Sequence, residues 1–120
     1  VWLKSGGNLV IEPTEALTVI DVNTAKSVSK KTSEETYLKT NLEAAEAIAV
    51  QLRLRNLSGI IIVDFIDMKE EESRKALLAA MRQAVAADPV KTVLVDMTPL
   101  GLVELTRKKI RRPLHVQVRV

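Results

Sequence analysis

The chain has 120 residues, 47% hydrophobic, 28% charged and 2% aromatic, with 18 Lys and Arg against 15 Asp and Glu. That is the length of one average domain. The absence of cysteine excludes disulfides, zinc–thiolate sites and cysteine nucleophiles, and a single histidine, His115, excludes a two-histidine metal site.

No apolar stretch approaches the roughly 20 residues a membrane span needs. The three aromatics, Trp2, Tyr37 and Phe65, are few for a protein that reads single-stranded nucleic acid by stacking bases. The chain starts at Val1 and has no signal-peptide pattern, so we expect a fragment of a longer cytoplasmic protein.

Taken in order, residues 8–12 and 16–22 are short β-branched runs separated by Pro13-Thr14-Glu15. They predict a hairpin entered through the Gly6-Gly7 pair. Residues 24–31 are polar and aperiodic, and read as a loop. Thr32 with Glu35 has the form of a capping box. Leu38, Leu42, Ala45, Ala49 and Leu52 then mark one face of a helix. That helix should fade near Asn56, with Gly59 as its stop.

The continuous apolar run at 60–66 suits a strand covered on both faces. A second helix is expected from about Lys69 to Ala87, capped by Asp67, with Leu77, Leu78, Met81, Ala84 and Val85 as its buried stripe. Asp88-Pro89 ends it. Thr92–Asp96 reads as a strand, Thr98–Gly101 as a turn and Leu102–Thr106 as a further strand, although Leu102–Leu105 also fits a helix start. Residues 115–120 alternate like an edge strand. No repeat or linker divides the chain. The order β-β-α-β-α-β-β predicts one α/β domain over residues 1–120, a mixed sheet with two main helices.

The charge becomes informative once located. Arg107, Lys108, Lys109, Arg111 and Arg112 form one basic run, and the remaining 13 basic residues are outnumbered by the 15 acidic ones. Such a run is an electrostatic footprint for phosphate, or a solvated terminus.

Asp21, Asp64 and Asp96 each come near the end of an apolar strand. Ligands of open α/β sheets bind beyond the carboxyl ends of the strands. Carboxylates there can share Mg²⁺, which accepts one or two of them and keeps several waters, and a bound Mg²⁺ activates water and offsets phosphoryl charge. An Asp at a strand end also serves as a helix cap or turn former, and that reading stays open for each of the three. Asp67 is better explained as a cap, with Glu70, Glu71 and Glu72 favoured by the helix dipole. There is no P-loop and no G-x-G-x-x-G. His115 has no evident partner.

At these residues the sequence resembles the catalytic region of the ribonuclease E/G family, bacterial endoribonucleases of RNA processing (rRNA included) and decay. The segments that carry the resemblance are Ser5-Gly6-Gly7; Thr14-Glu15-Ala16-Leu17-Thr18 leading to Ile20-Asp21-Val22-Asn23; Glu34-Glu35-Thr36; Thr40-Asn41-Leu42-Glu43-Ala44-Ala45; Gln51-Leu52-Arg53-Leu54-Arg55-Asn56; Gly59 to Met68; and Gly101 to Arg107. They run in order over about residues 2–112.

The resemblance implies the family's DNase I-like subdomain, with Asp21 and Asp64 as Mg²⁺ ligands (Mn²⁺ being an alternative ion). It implies a metal-activated water that cleaves single-stranded RNA to leave a 5′-phosphate and a 3′-hydroxyl. Asn23 resembles the asparagine that helps hold the scissile phosphate region. The S1 RNA-binding domain and the 5′-end-sensing domain of the family are absent here. So is its cysteine pair, so this stretch has no zinc site to link subunits of a homo-oligomeric parent. Residues 113–120 match nothing in the family, and Asp96 lies outside its metal motif. We expect weak or undetectable cleavage from this chain alone. The competing expectation is a non-catalytic scaffold whose basic run binds RNA nonspecifically; a small-molecule α/β enzyme lacks any nucleotide-binding signature.

Overall fold

The computed structural model describes residues 1–24 and 34–109. The predicted loop at 24–31, the capping residue Thr32, His115 and the expected strand at 115–120 lie, but for Thr24, outside the described residues.

The elements are β1 (Asn8–Pro13), β2 (Leu17–Asn23), α1 (Glu34–Leu54), β3 (Gly59–Asp64), α2 (Glu71–Ala86), β4 (Thr92–Met97) and β5 (Val103–Arg107). They form a mixed five-stranded sheet in the order β1-β2-β3-β5-β4. β2 and β3 are parallel, joined through α1, and the other neighbours are antiparallel. The expected α/β class and element order are those observed.

The β1–β2 turn closes on Thr14. Its N–H donates to the Leu17 carbonyl at 2.8 Å, and its hydroxyl accepts from the Leu17 N–H at 3.1 Å. Alternation along the strands sends Leu9, Ile20, Val22, Ile61, Val63, Val103 and Leu105 to one side, where they meet Ala44, Ala45, Ile48 and Leu52 of α1 and Leu77, Met81 and Val85 of α2. Both helices therefore cover the same face.

This corrects the expectation that the 60–66 run is covered on both sides. Ile61 and Val63 are fully buried, Ile62 is half-buried and Ile60 is exposed. The β-branched residues of the open face, Val10, Val19, Ile60 and Val93, keep the strand propensity with no covering layer among the described residues.

The α1 stripe is rotated slightly from the one expected. Asn41, Ala44, Ala45, Ile48 and Leu52 lie deepest, while Leu38 and Leu42 are half-buried. The helix ends in a Schellman arrangement. The Leu57 N–H donates to the Leu52 carbonyl at 3.0 Å, and the Asn56 N–H to the Arg53 carbonyl at 3.2 Å. Asn56 takes the left-handed position at φ 49°, a conformation asparagine tolerates. The stop is therefore Asn56, and Gly59 already begins β3.

Asp67 is not the cap of α2. Glu70 occupies the N-cap position without a side-chain cap bond. A carboxylate from the other helix takes the nearby donors instead: Glu34 accepts from the N–H groups of Lys69 at 3.0 Å and Glu70 at 2.7 Å. Those two bonds, Glu70 first, hold the Glu34 carboxyl below its ordinary range.

Candidate active site

Asp21 and Asp64 are direct partners across the parallel β2–β3 pair. Paired residues on neighbouring strands share a face, with backbones about 4.8 Å apart. That face is the open one, since Ile20, Val22 and Val63, which flank the aspartates in sequence, are all buried beneath the helices. Asp64 is the last residue of β3, so the pair sits at the carboxyl end of both strands, as anticipated from the topology. Asn23, two residues past Asp21, returns to the same face and is exposed.

Among the described residues, neither Asp21 nor Asp64 accepts a hydrogen bond or meets a cation. Partial desolvation, then the charges of Asp21 and Asp67, push the Asp64 carboxyl above its usual range. A pair of carboxylates in mutual repulsion, with no protein cation to offset them, is chemically matched to a divalent cation. Among the described residues no third His, Cys, Asp or Glu completes a cage around them. Two carboxylates suffice for Mg²⁺, which fills its other positions with water and phosphate oxygens.

The backbone following Asp64 is held at three points. The Asn41 side chain, fully buried, donates to the Ile66 carbonyl at 2.9 Å and accepts from the Ile66 N–H at 3.0 Å. Glu34 fixes Lys69 and Glu70 as described above. Arg74 donates through Nη1 to the carbonyls of Met68 at 2.8 Å and Lys69 at 3.0 Å. On the other strand, Gly7 lies against the carbonyl of Asn23. A Cβ added there would come within 2.8 Å of that oxygen, so a side chain at this position forces Asn23 to move. The Gly6-Gly7 pair thus supplies close approach as well as flexibility.

Asn41, Glu34, Arg74 and Gly7 were not identified as site residues from the sequence. A polar residue on the buried stripe of α1 is the signal that marks Asn41. The other three are defined by contacts between segments distant in sequence.

Two cavities open at this end of the sheet and meet at Asp67. One, of about 640 Å³, is lined by Thr24, Glu34, Tyr37, Ile66 and Lys69; the other, of about 390 Å³, by Met68, Arg74, Met97 and Gly101. A larger groove of about 720 Å³ lies between the helices, lined by Leu38, Leu42 and Ala84, away from the aspartates.

The remaining candidates fall elsewhere. Asp96 lies on the edge strand β4, opposite Glu104, which in turn faces Ile62. Its carboxylate accepts from the Met97 N–H at 2.7 Å, and the structure does not bring it to the pair.

Arg107 is corrected outright as an exposed RNA contact: its side chain is only 2% exposed. Its Nε donates to Asp88 at 2.8 Å, and its Nη1 to the Asn56 side chain at 2.9 Å and the Leu57 carbonyl at 3.0 Å. A guanidinium offers a planar fork of donors, and here all three of its nitrogens donate within the fold. Lys108 and Lys109 are exposed, at the end of β5 that faces the start of β3. Arg111 and Arg112 lie outside the described residues. No helix among the described residues is long and apolar enough to cross a membrane.

The sequence matches the family model of the ribonuclease E/G family over residues 1–110. It is 53% identical to ribonuclease G of Salmonella typhimurium over 111 residues, covering 92% of this chain and 23% of that protein. It is 51% identical to ribonuclease G of Escherichia coli over 115 residues, covering 96% and 24%. It is 52% identical to ribonuclease E of a Nostoc species over 109 residues, covering 91% and 16%. The chain thus spans about a quarter of the length of the first two relatives and less of the third. With the family model matched over nearly its whole length, this chain belongs to the ribonuclease E/G family.

Proposed function

We propose that this chain is the catalytic, DNase I-like subdomain of a Mg²⁺-dependent endoribonuclease that hydrolyses phosphodiesters of single-stranded RNA, leaving a 5′-phosphate and a 3′-hydroxyl. The observation that carries this reading is the register of Asp21 with Asp64 on the open face, uncompensated by any cation of the described residues. Asp21 and Asp64 hold the divalent cation, Mg²⁺ or Mn²⁺. When bound, the ion supplies an activated water and offsets charge on the phosphoryl oxygens. Asn23 presents its amide on the same face, where its N–H₂ group donates to the phosphate beside the scissile bond. Asn41, Glu34 and Arg74 act through the backbone they hold, keeping Asp64 at a fixed distance from Asp21.

The exposed Lys108 and Lys109 add a nonspecific attraction for the RNA backbone at the far end of the sheet, and Arg111 and Arg112, which follow them in sequence, add to the same basic run. The S1 and 5′-end-sensing domains of a cytoplasmic, homo-oligomeric parent supply most of the substrate grip. The isolated chain then cleaves weakly or not at all.

The test pairs a titration with a substitution. Millimolar Mg²⁺ should shift, and Mn²⁺ should broaden, the NMR signals of Asp21, Asn23, Asp64 and their neighbours while leaving β4 and the Arg107 region unchanged. In the full-length protein, Asp64→Asn should lower cleavage on the order of 10³-fold, the scale set by removing one electrostatic stabiliser of a transition state, with RNA affinity nearly intact. A folded chain whose signals ignore both ions, or a substituted enzyme that cleaves normally, would remove this assignment.

A further inference from the structure

The most exposed aromatic of the molecule stands beside the proposed metal pair. Trp2 is 78% exposed, although a tryptophan side chain carries about 150 to 250 Å² of surface that ordinarily seeks burial. Its position is set by the backbone. Residues 1–3 run antiparallel to the start of β1. The Leu9 N–H donates to the Val1 carbonyl at 2.7 Å, the Leu3 N–H to the Gly7 carbonyl at 2.8 Å, and Trp2 faces Asn8 between them. Asn8 is in turn the register partner of Asn23. Trp2, Asn8 and Asn23 therefore form one row, directly next to the row of Val10, Asp21 and Asp64.

Parity gives the face. Leu3 and Leu9 are buried against the helices, so Trp2 and Asn8 point to the open side with Asn23 and Asp21. Two strand spacings put the Trp2 backbone about 10 Å from that of Asn23. The flanking side chains on this side, Asn8, Val10 and Asn23, carry no charge.

We propose that the indole of Trp2 is a stacking platform for a nucleobase of single-stranded RNA laid across Asp21 and Asp64. This rests on the reading of those aspartates as the reacting centre, and it adds a base contact within this subdomain. An RNA strand that presents a phosphate to the two carboxylates and Asn23 turns a neighbouring base toward the β1 edge, where the ring lies open. Stacking is tolerant of base identity, because every base has a π-face, and it requires an unpaired strand.

Trp2 is the one tryptophan of the chain, so its fluorescence reports the contact directly. The 120-residue chain is titrated with a labelled oligoadenylate, with a duplex RNA of equal length and with inorganic polyphosphate as a base-free probe. Binding is followed separately by anisotropy of the label. The oligoadenylate should quench Trp2 as it binds, and the other two should not. Trp2→Ala should weaken single-strand binding roughly tenfold, within the range of one lost base–aromatic stack. Trp2→Phe should restore most of it. The salt dependence should stay as in the parent chain, because stacking releases no counterions.

The titration is repeated in chelator and with Asp64→Asn. Quenching that persists there, with no Mn²⁺ effect at Asp21 and Asp64, would remove the metal reading and keep the platform. Binding without quenching, equal quenching by polyphosphate, wild-type affinity of Trp2→Ala, or no binding at millimolar RNA would each overturn the platform.

Discussion

The two ends of β3 carry opposite solutions to the problem of an aspartate near the edge of a sheet. At its start, Gly59 pairs with Arg107, whose guanidinium is locked onto Asp88; at its end, about 17 Å away by strand rise, stands Asp64 beside Asp21. Asp88 is satisfied on all sides. It takes Arg107 through both carboxylate oxygens and also accepts from the Val90 N–H and the Thr92 hydroxyl. Its carboxyl is held below the usual range, with the Arg107 hydrogen bonds as the largest cause. Asp64 has no such partners among the described residues, and its carboxyl is pushed the other way. One end of the strand uses charge to close the fold, and the other leaves charge open to be used.

The largest effect expected from breaking this contrast is at the closed end. Arg107→Met should destabilise the chain by about 3 to 5 kcal/mol, because it strands a buried Asp88 carboxylate and two further acceptors, the Asn56 side chain and the Leu57 carbonyl. Urea denaturation measures it. Adding Asp88→Leu should recover part of the loss, since replacing both members of a buried pair removes the unpaired charge. Divalent-ion shifts at Asp21 and Asp64 should be the same in the double variant as in the parent chain. If Arg107 were an RNA contact, Arg107→Met would instead weaken RNA binding and leave the denaturation midpoint in place.

Next in size is the support of the open end. Asn41→Ala removes two hydrogen bonds to Ile66 and leaves both backbone groups in a half-buried position, a loss of about 1 to 3 kcal/mol. Asn41→Leu should not rescue it, because volume is not what Asn41 supplies. In the full-length protein, cleavage should fall further than the small loss of stability explains, since the backbone that follows Asp64 is released. A variant that loses stability but keeps full activity would show that Asp64 is positioned by β3 alone.

The contrast also explains what the sequence disclosed. Asp21 and Asp64 were legible because each ends an apolar run, and strand ends are where open sheets place ligands. Their register was not legible: that they sit side by side depends on β2 and β3 being parallel neighbours. The basic run was misleading at Arg107 for a related reason. Charge counted along the chain is blind to burial, and the partner that buries Arg107 lies 19 positions earlier. Asp67 is not the cap expected of it, and the N–H groups of Lys69 and Glu70 just before α2 go instead to Glu34, 35 residues from Lys69. Local rules located the elements well, but the alternative partners that tertiary contact supplies could not be read from spacing. Composition counted three aromatics, yet only the fold could show that one of them stands exposed beside the aspartates.

The smallest effect is the pH dependence, and there the two ends differ in sign. Asp88 has a folded pKa below its ordinary 3.8. Its contribution to stability is therefore complete above 3.8 and is lost as pH falls through the lower folded value. Asp64 has a folded pKa above 3.8. Its desolvation, and then its repulsion with Asp21 and Asp67, cost stability at neutral pH, and the cost is relieved as pH falls from the raised value towards 3.8. The two effects occupy adjacent windows, with Asp64 above 3.8 and Asp88 below it.

Stability–pH profiles of Asp64→Asn and Asp88→Asn, each subtracted from that of the parent chain, isolate them, because other carboxylates cancel in the difference. The Asp64 difference should show the substituted chain gaining relative to the parent as pH rises through the upper window. The Asp88 difference should shrink only below 3.8. Mg²⁺ should flatten the first difference at neutral pH and leave the second alone, because a bound cation offsets the repulsion at the open end and has nothing to add at the closed one. A Mg²⁺-insensitive Asp64 difference would mean that the ion does not bind at this pair of carboxylates.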